Sequence, residues 1–142
     1  MASDLQQRLE SFLTANNQSL SIEPLTQDAS TREYFRVNWS GEKAIACVYP
    51  FNDLCKGQFD ACLDVTNVFI SADLIVAKIL ASDAEKGIII HEDFGDTILR
   101  DVLLQSNEAE RERLLNEAIA LIAKIQAATP KAIEQNSISS KL

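Results

Sequence analysis

Positive charge is scarce in this chain: 13 Lys and Arg stand against 21 Asp and Glu, giving a net charge of -8 at pH 7. Binding to a nucleic-acid backbone needs a basic footprint, and no basic patch or stripe is visible, so a general nucleic-acid binder is excluded. Histidine occurs once, as His91, and Cys47, Cys55 and Cys62 form no close pair, which removes a Cys/His metal site. An odd cysteine count without regular pairing argues for free thiols in a reducing compartment; Cys47 in an apolar strand pattern and Cys62 on an apolar helix face read as core filler. The N-terminus lacks a basic lead and an apolar run of signal length, and no stretch approaches the ~18 apolar residues of a membrane span. The expectation is a soluble, cytoplasmic protein with neither membrane nor nucleic acid as partner. Glycine is also sparse, at four residues, and neither the short dinucleotide motif nor the lysine-terminated P-loop is present.

What remains is an ordinary globular composition: 142 residues, 46% of them apolar, enough to bury one core. Leu5, Leu9, Phe12 and Leu13 share a face and predict a helix over Asp4 to Thr14 behind a Ser3 cap. A short strand at Ile22 to Leu25, a polar turn at Thr26 to Thr31, and strands at Glu33 to Trp39 and Lys43 to Tyr49 around Ser40-Gly41-Glu42 form an antiparallel hairpin series. Pro50 stops the third strand. Phe51 to Gly57 reads as a loop, Gln58 to Ser71 as a helix, and Leu74 to Ala81 and Gly87 to His91 as two strands around a polar turn. Thr97 to Leu104 is a short helix. Asn107 to Ala127 is a long one, with an Asn107/Glu110 capping box, early glutamates and a late Lys124. Thr129-Pro130 ends it, and the tail from Lys131 reads as loose. One face of this helix, including Leu115 and Ile122, is too apolar to stand free.

Two segments carry chemistry. The turn before the second strand offers Gln27, Asp28, Ala29, Ser30 and Thr31, small residues whose hydroxyls and amides suit phosphate oxygens, followed by Arg32 as a positive charge; the alternative is a solvated hairpin loop. Arg36, further along the strand, faces a charged ligand or covers the sheet edge. The second segment, Gly87 to Asp96, is an apolar strand running into Glu92-Asp93-Phe94 and a glycine-containing acidic turn. Its backbone suits the edge of a purine, with Ile45, Val48, Ile90 and Phe94 to sandwich the ring, unless all four are core. Asp93 and Asp96 alternatively cap the helix from Thr97, and His91 reads as structural. Phosphate-anchoring lysines usually stand on the third strand. Here only Lys43, at its start, is available, with Asp60 or Asp64 on the following helix as a partner. After the hinge-like segment there is no His-x-Asp loop with a following Asn, so no base or metal-holding acids for phosphoryl transfer follow.

Asp28-Ala29-Ser30-Thr31-Arg32-Glu33-Tyr34-Phe35-Arg36, the stretch Val76 to Asp83 and the stretch Gly87 to Asp96 resemble the aminoglycoside phosphotransferase superfamily of protein-kinase-like enzymes. The nearest look is to bacterial cell-wall sugar kinases that phosphorylate N-acetylmuramate or N-acetylglucosamine at the anomeric carbon. The resemblance covers roughly residues 20 to 128. It implies an α+β fold: a kinase-like N-terminal lobe with hinge over 1–96, an antiparallel sheet plus packed helix, then the first helices of a truncated C-terminal lobe over 97–142. It implies ATP or GTP with Mg²⁺ as cofactor and a sugar as substrate of a longer parent. Ser30, Thr31, Arg32, Arg36, Lys43, Ile45, Glu92, Asp93 and Phe94 become the nucleotide-contacting set. The family's catalytic and metal-binding Asp lie in the second lobe and match no residue here, so the chain is expected to be inactive alone. Two departures are the missing third-strand lysine and Ala77 where proline is usual. The other reading is a non-catalytic interaction protein that forms a homodimer through the helix at 107–127. The kinase reading requires the Ser30 turn and the backbone just past His91 to lie on one side of the sheet.

Overall fold

The structure, a computed structural model, describes residues 2–26 and 30–137. It is an α+β fold, as expected. In order along the chain it comprises α1 (Asp4–Ala15), β1 (Glu23–Pro24), β2 (Glu33–Trp39), β3 (Glu42–Val48), α2 (Asp53–Ser71), β4 (Ile79–Asp83), β5 (Ile88–Glu92), α3 (Leu99–Gln105), α4 (Glu108–Ala127) and α5 (Thr129–Glu134). The strands form one antiparallel sheet in the order β1-β2-β3-β5-β4. Two compact units are formed, one from Met1–Leu63 with Ala77–Asp93 and the other from Asp64–Val76 with Phe94–Leu142. α2 passes from the first into the second.

In the first unit, α1 starts where Ser3 Oγ accepts from the Gln6 amide at 3.1 Å. Its apolar face packs on one side of the sheet, where Leu9, Phe12, Leu13, Phe35, Val37, Ala44, Ala46, Val48, Ile88 and Ile90 form a buried cluster. Residues alternate across a strand. The side chains between these therefore face the other side, where Cys47, Tyr49, Ile89, Cys55 and Phe59 form a second cluster beneath the first half of α2. Ser40 and Gly41 both have positive φ, 53° and 87°, the signature of the tight hairpin turn that joins β2 to β3.

Three boundaries depart from the sequence reading. α2 begins at Asp53, inside the expected loop, because the Asn52 side chain accepts from the Cys55 amide at 2.8 Å and caps it. β4 begins only at Ile79 and runs on to Asp83, and its register slips between Ile79 and Ala81; of the Leu74–Ala81 run, read as a strand with a partly irregular course, the part before Ile79 is the irregular one. α4 ends at Ala127, as Thr129-Pro130 requires, but the tail expected to be loose opens with α5, where Pro130 sits in the first turn and its missing N–H costs nothing. In the second unit α5 buries Ala132, Ser137 is fully buried with its hydroxyl on Asp64, and Gln135 Nε2 donates to Ser71 Oγ at 2.8 Å. The stretch from Lys131 to Ser137 is therefore packed. Asn107 caps α4 as expected, accepting from the Glu110 amide at 2.9 Å; the Glu110 carboxylate turns to Arg113.

Candidate functional site

The register of the first unit decides which side chains meet. Arg36 on β2 is paired with Ile45 on β3, and Ile45 with His91 on β5. One row along, Tyr34 is paired with Cys47 and Cys47 with Ile89. Both rows face the α2 side of the sheet. α2 covers the second row, while Ile45 and His91 lie outside that cluster and stay half-buried. Burial holds the His91 imidazole below its ordinary pKa, so it is neutral at pH 7.

Arg36 Nε donates to Asp93 Oδ2 at 2.7 Å, and the two side chains are only 13% and 6% exposed. β3 lies between their two strands, so this ion pair bridges the sheet beside Ile45 and ties the residue after β5 to β2. The Arg36 side chain is thus committed at its Nε to Asp93. Asp93 is correspondingly no helix cap; α3 begins behind Ile98, which makes no side-chain cap bond.

At the other end of β2, Ser30 Oγ accepts from both the backbone amide and Nε of Arg32, at 3.2 and 3.0 Å. Thr31 Oγ1 lies 3.7 Å from Cys55 Sγ on α2. The Arg32 guanidinium sits over the rings of Tyr34 and Tyr49, 5.7 and 5.5 Å from their centroids. The Ser30 turn and the Arg36–Asp93 pair are thus on the same side of the sheet. Of the expected turn, Gln27, Asp28 and Ala29 lie outside the described residues.

The remaining candidates are placed differently. Glu92 is a fastening residue: its amide donates to the Lys78 carbonyl at 3.0 Å and its carboxylate accepts from the Lys78 amide at 2.9 Å. Lys43 is exposed at the start of β3 and pairs with no carboxylate among the described residues; Asp60 instead pairs with Lys56 at 3.0 Å. Val48 and Ile90 are fully buried under α1, on the opposite side from Ile45, so they cannot sandwich a ring with it. Phe94 is exposed. Tyr34 and Tyr49 were not singled out from sequence. The Arg32-x-Tyr34-x-Arg36 alternation was the available signal.

A cavity of about 320 Å³ opens at the far end of β3, lined by Tyr49, Phe51, Asn52, Phe59 and Gly87 among others. Its charged lining is mostly acidic, with Asp53, Asp60 and Glu85 against Lys56, and Lys56 is already paired with Asp60. The cavity adjoins the Ser30–Arg32 turn, with which it shares Tyr49 and Cys55, and its acidic wall leaves Arg32, not the cavity, as the place for an anion. Among the described residues no group of three or more His, Cys, Asp or Glu side chains is placed to hold a metal ion; these residues do not fit a metal site of their own. No described helix is long and apolar enough to cross a membrane.

No family model matches the chain. Over 108 residues it is 29% identical to a protein of Neisseria meningitidis serogroup B named N-acetylmuramate/N-acetylglucosamine kinase. The match takes in 75% of this chain and 31% of that relative, so the chain spans less than a third of the relative's length. The chain is thus weakly similar to a protein named as a sugar kinase. An antiparallel sheet with several helices is consistent with a kinase-like lobe.

Proposed function

We propose that this chain is the nucleotide-binding part of a small-molecule phosphotransferase whose acceptor is an amino sugar or an aminoglycoside-like compound. One observation carries the reading. A half-buried row, Ile45 and His91 closed by the Arg36–Asp93 pair, shares a face with the Ser30–Arg32 turn. Arg36 and Arg32 are four residues apart, about 13 Å along a strand, a span suited to a purine at one end and its phosphates at the other. In this reading 1–96 is the nucleotide lobe with its hinge and 97–142 opens the second lobe. Ile45 roofs the purine, the backbone at Asp93 and Phe94 reads its edge while Glu92, its amide spent on Lys78, holds that backbone in place, and Ser30 and Thr31 approach the phosphates. ATP or GTP is the nucleotide, and the rest of the parent enzyme supplies the Mg²⁺ ligands and the base. Calorimetric titration of the chain with ATP and GTP should give saturable binding to at least one, and a longer parent should consume that nucleotide only when sugar is present. Failure of both nucleotides to bind the chain and the parent removes the reading.

A second reading is favoured by α4. None of its residues is buried, and Leu115, Ile119, Ile122 and Ile125 are exposed along it. Most helical stability comes from burying an apolar face. A non-catalytic interaction protein would close this face with a second copy. Light scattering should then show a dimer that Leu115→Asp with Ile122→Asp converts to monomer; a monomeric unaltered chain rules it out.

A further inference from the structure

We propose that Arg32, entering from the lead-in to β2, is the cation that receives the nucleotide's phosphate tail in place of a β3 lysine; the assignment rests on the nucleotide reading above. The α2-side residues of β3 are Lys43, Ile45 and Cys47, with Tyr49 following just past its end. Lys43 stands at the Arg36 end of the strand, away from the Ser30 turn. Cys47 is buried, and burial pushes its thiol up to about 11, so it carries no charge at pH 7. Burial pushes the Tyr49 phenol up too. β3 therefore offers no cation where the phosphates would lie.

Arg32 fills that gap from the neighbouring strand. Its guanidinium is held over Tyr34 and Tyr49, and its Nε–H is spent on Ser30. The rings fix the plane of the group; one terminal nitrogen meets the Tyr49 hydroxyl, and the remaining N–H groups are left to donate. It has no carboxylate partner among the described residues, although acids outnumber bases in this chain. A planar fork of N–H donors is complementary to phosphate oxygens. Ser30 positions the group and Thr31, tied to Cys55, anchors the turn to α2.

The test is a titration of the full chain, unaltered and as Arg32→Gln and Arg32→Lys, with adenosine, guanosine, ADP and GDP. Arg32→Gln should weaken binding of the matching diphosphate about 10- to 100-fold while leaving its nucleoside unchanged, which also shows that the variant is folded. Arg32→Lys should recover part of the loss, since a lysine keeps the charge and loses the fork. Diphosphate binding by Arg32→Gln as tight as by the unaltered chain overturns the assignment alone. No binding of any of the four by the unaltered chain removes the nucleotide reading and this assignment with it.

Discussion

Replacing Asp93 by Ala should cost the first unit about 3 kcal/mol, at the lower end of what removing one partner of a buried ion pair costs. The charge left behind is that of Arg36, 13% exposed, whose Nε now donates to Asp93 at 2.7 Å. Removing Arg36 as well, as Arg36→Met with Asp93→Leu, should restore most of the loss, because an uncharged pair of similar volume carries no desolvation cost. Asp93→Asn should fall between, since an amide oxygen still accepts but without charge. Urea unfolding followed by the fluorescence of Trp39, the sole tryptophan, reads all three. It sits on β2, three residues from Arg36. An unchanged midpoint for Asp93→Ala would mean that the pair is not formed in solution. In the proposed reading the same variant also loosens the backbone that reads the purine, so its nucleotide affinity should fall by more than that of any variant on the α1 side.

Legibility followed the range of the interactions. β2 was read to the residue because its alternation is local and Ser40-Gly41 marks its end. The start of α2 was not. Gly57 and the exposed Phe51 and Leu54 look like loop, and the deciding contact is a single Asn52 cap. Gly57 costs α2 about 1 kcal/mol against Ala and is tolerated within a 19-residue helix. α5 was hidden by Pro130, which stops one helix and opens the next, and by burial of Ser137 against Asp64, 73 positions away. The face was legible in the same way. Arg32, Tyr34 and Arg36 share it by alternation alone, whereas the bond from Arg36 to Asp93 spans 57 positions and leaves no mark in either segment. Val48 and Ile90 group with Ile45 in the sequence because all are apolar and near the right strand ends. The pleat puts them on the opposite side, a distinction that composition cannot draw and period-two counting can.

Leu9→Ala should also cost about 3 kcal/mol, by a different route. Leu9 is fully buried in the α1 cluster with Leu13, Phe35, Val48 and Ile90, so the lost side chain leaves a cavity that a helix pinned at several points along its length closes only in part. Ser3 at its start is tied to Gln6 and to Glu33. Arg8 at its middle donates to the carbonyls of Tyr49 and Lys86, at 2.7 and 3.0 Å. Phe12 stacks on Trp39 with centroids 5.6 Å apart, so the same fluorescence reports the loss directly. The informative quantity is the contrast with Asp93. Both variants lower the unfolding midpoint, yet Leu9 lies behind the sheet and touches none of the Arg36 row. At urea-free, low-temperature conditions, where both variants remain folded, Leu9→Ala should keep the nucleotide affinity of the unaltered chain while Asp93→Ala loses it. Equal losses of affinity would mean that the two faces of the sheet are not separable, and that binding tracks general stability and not the Ile45–His91 row.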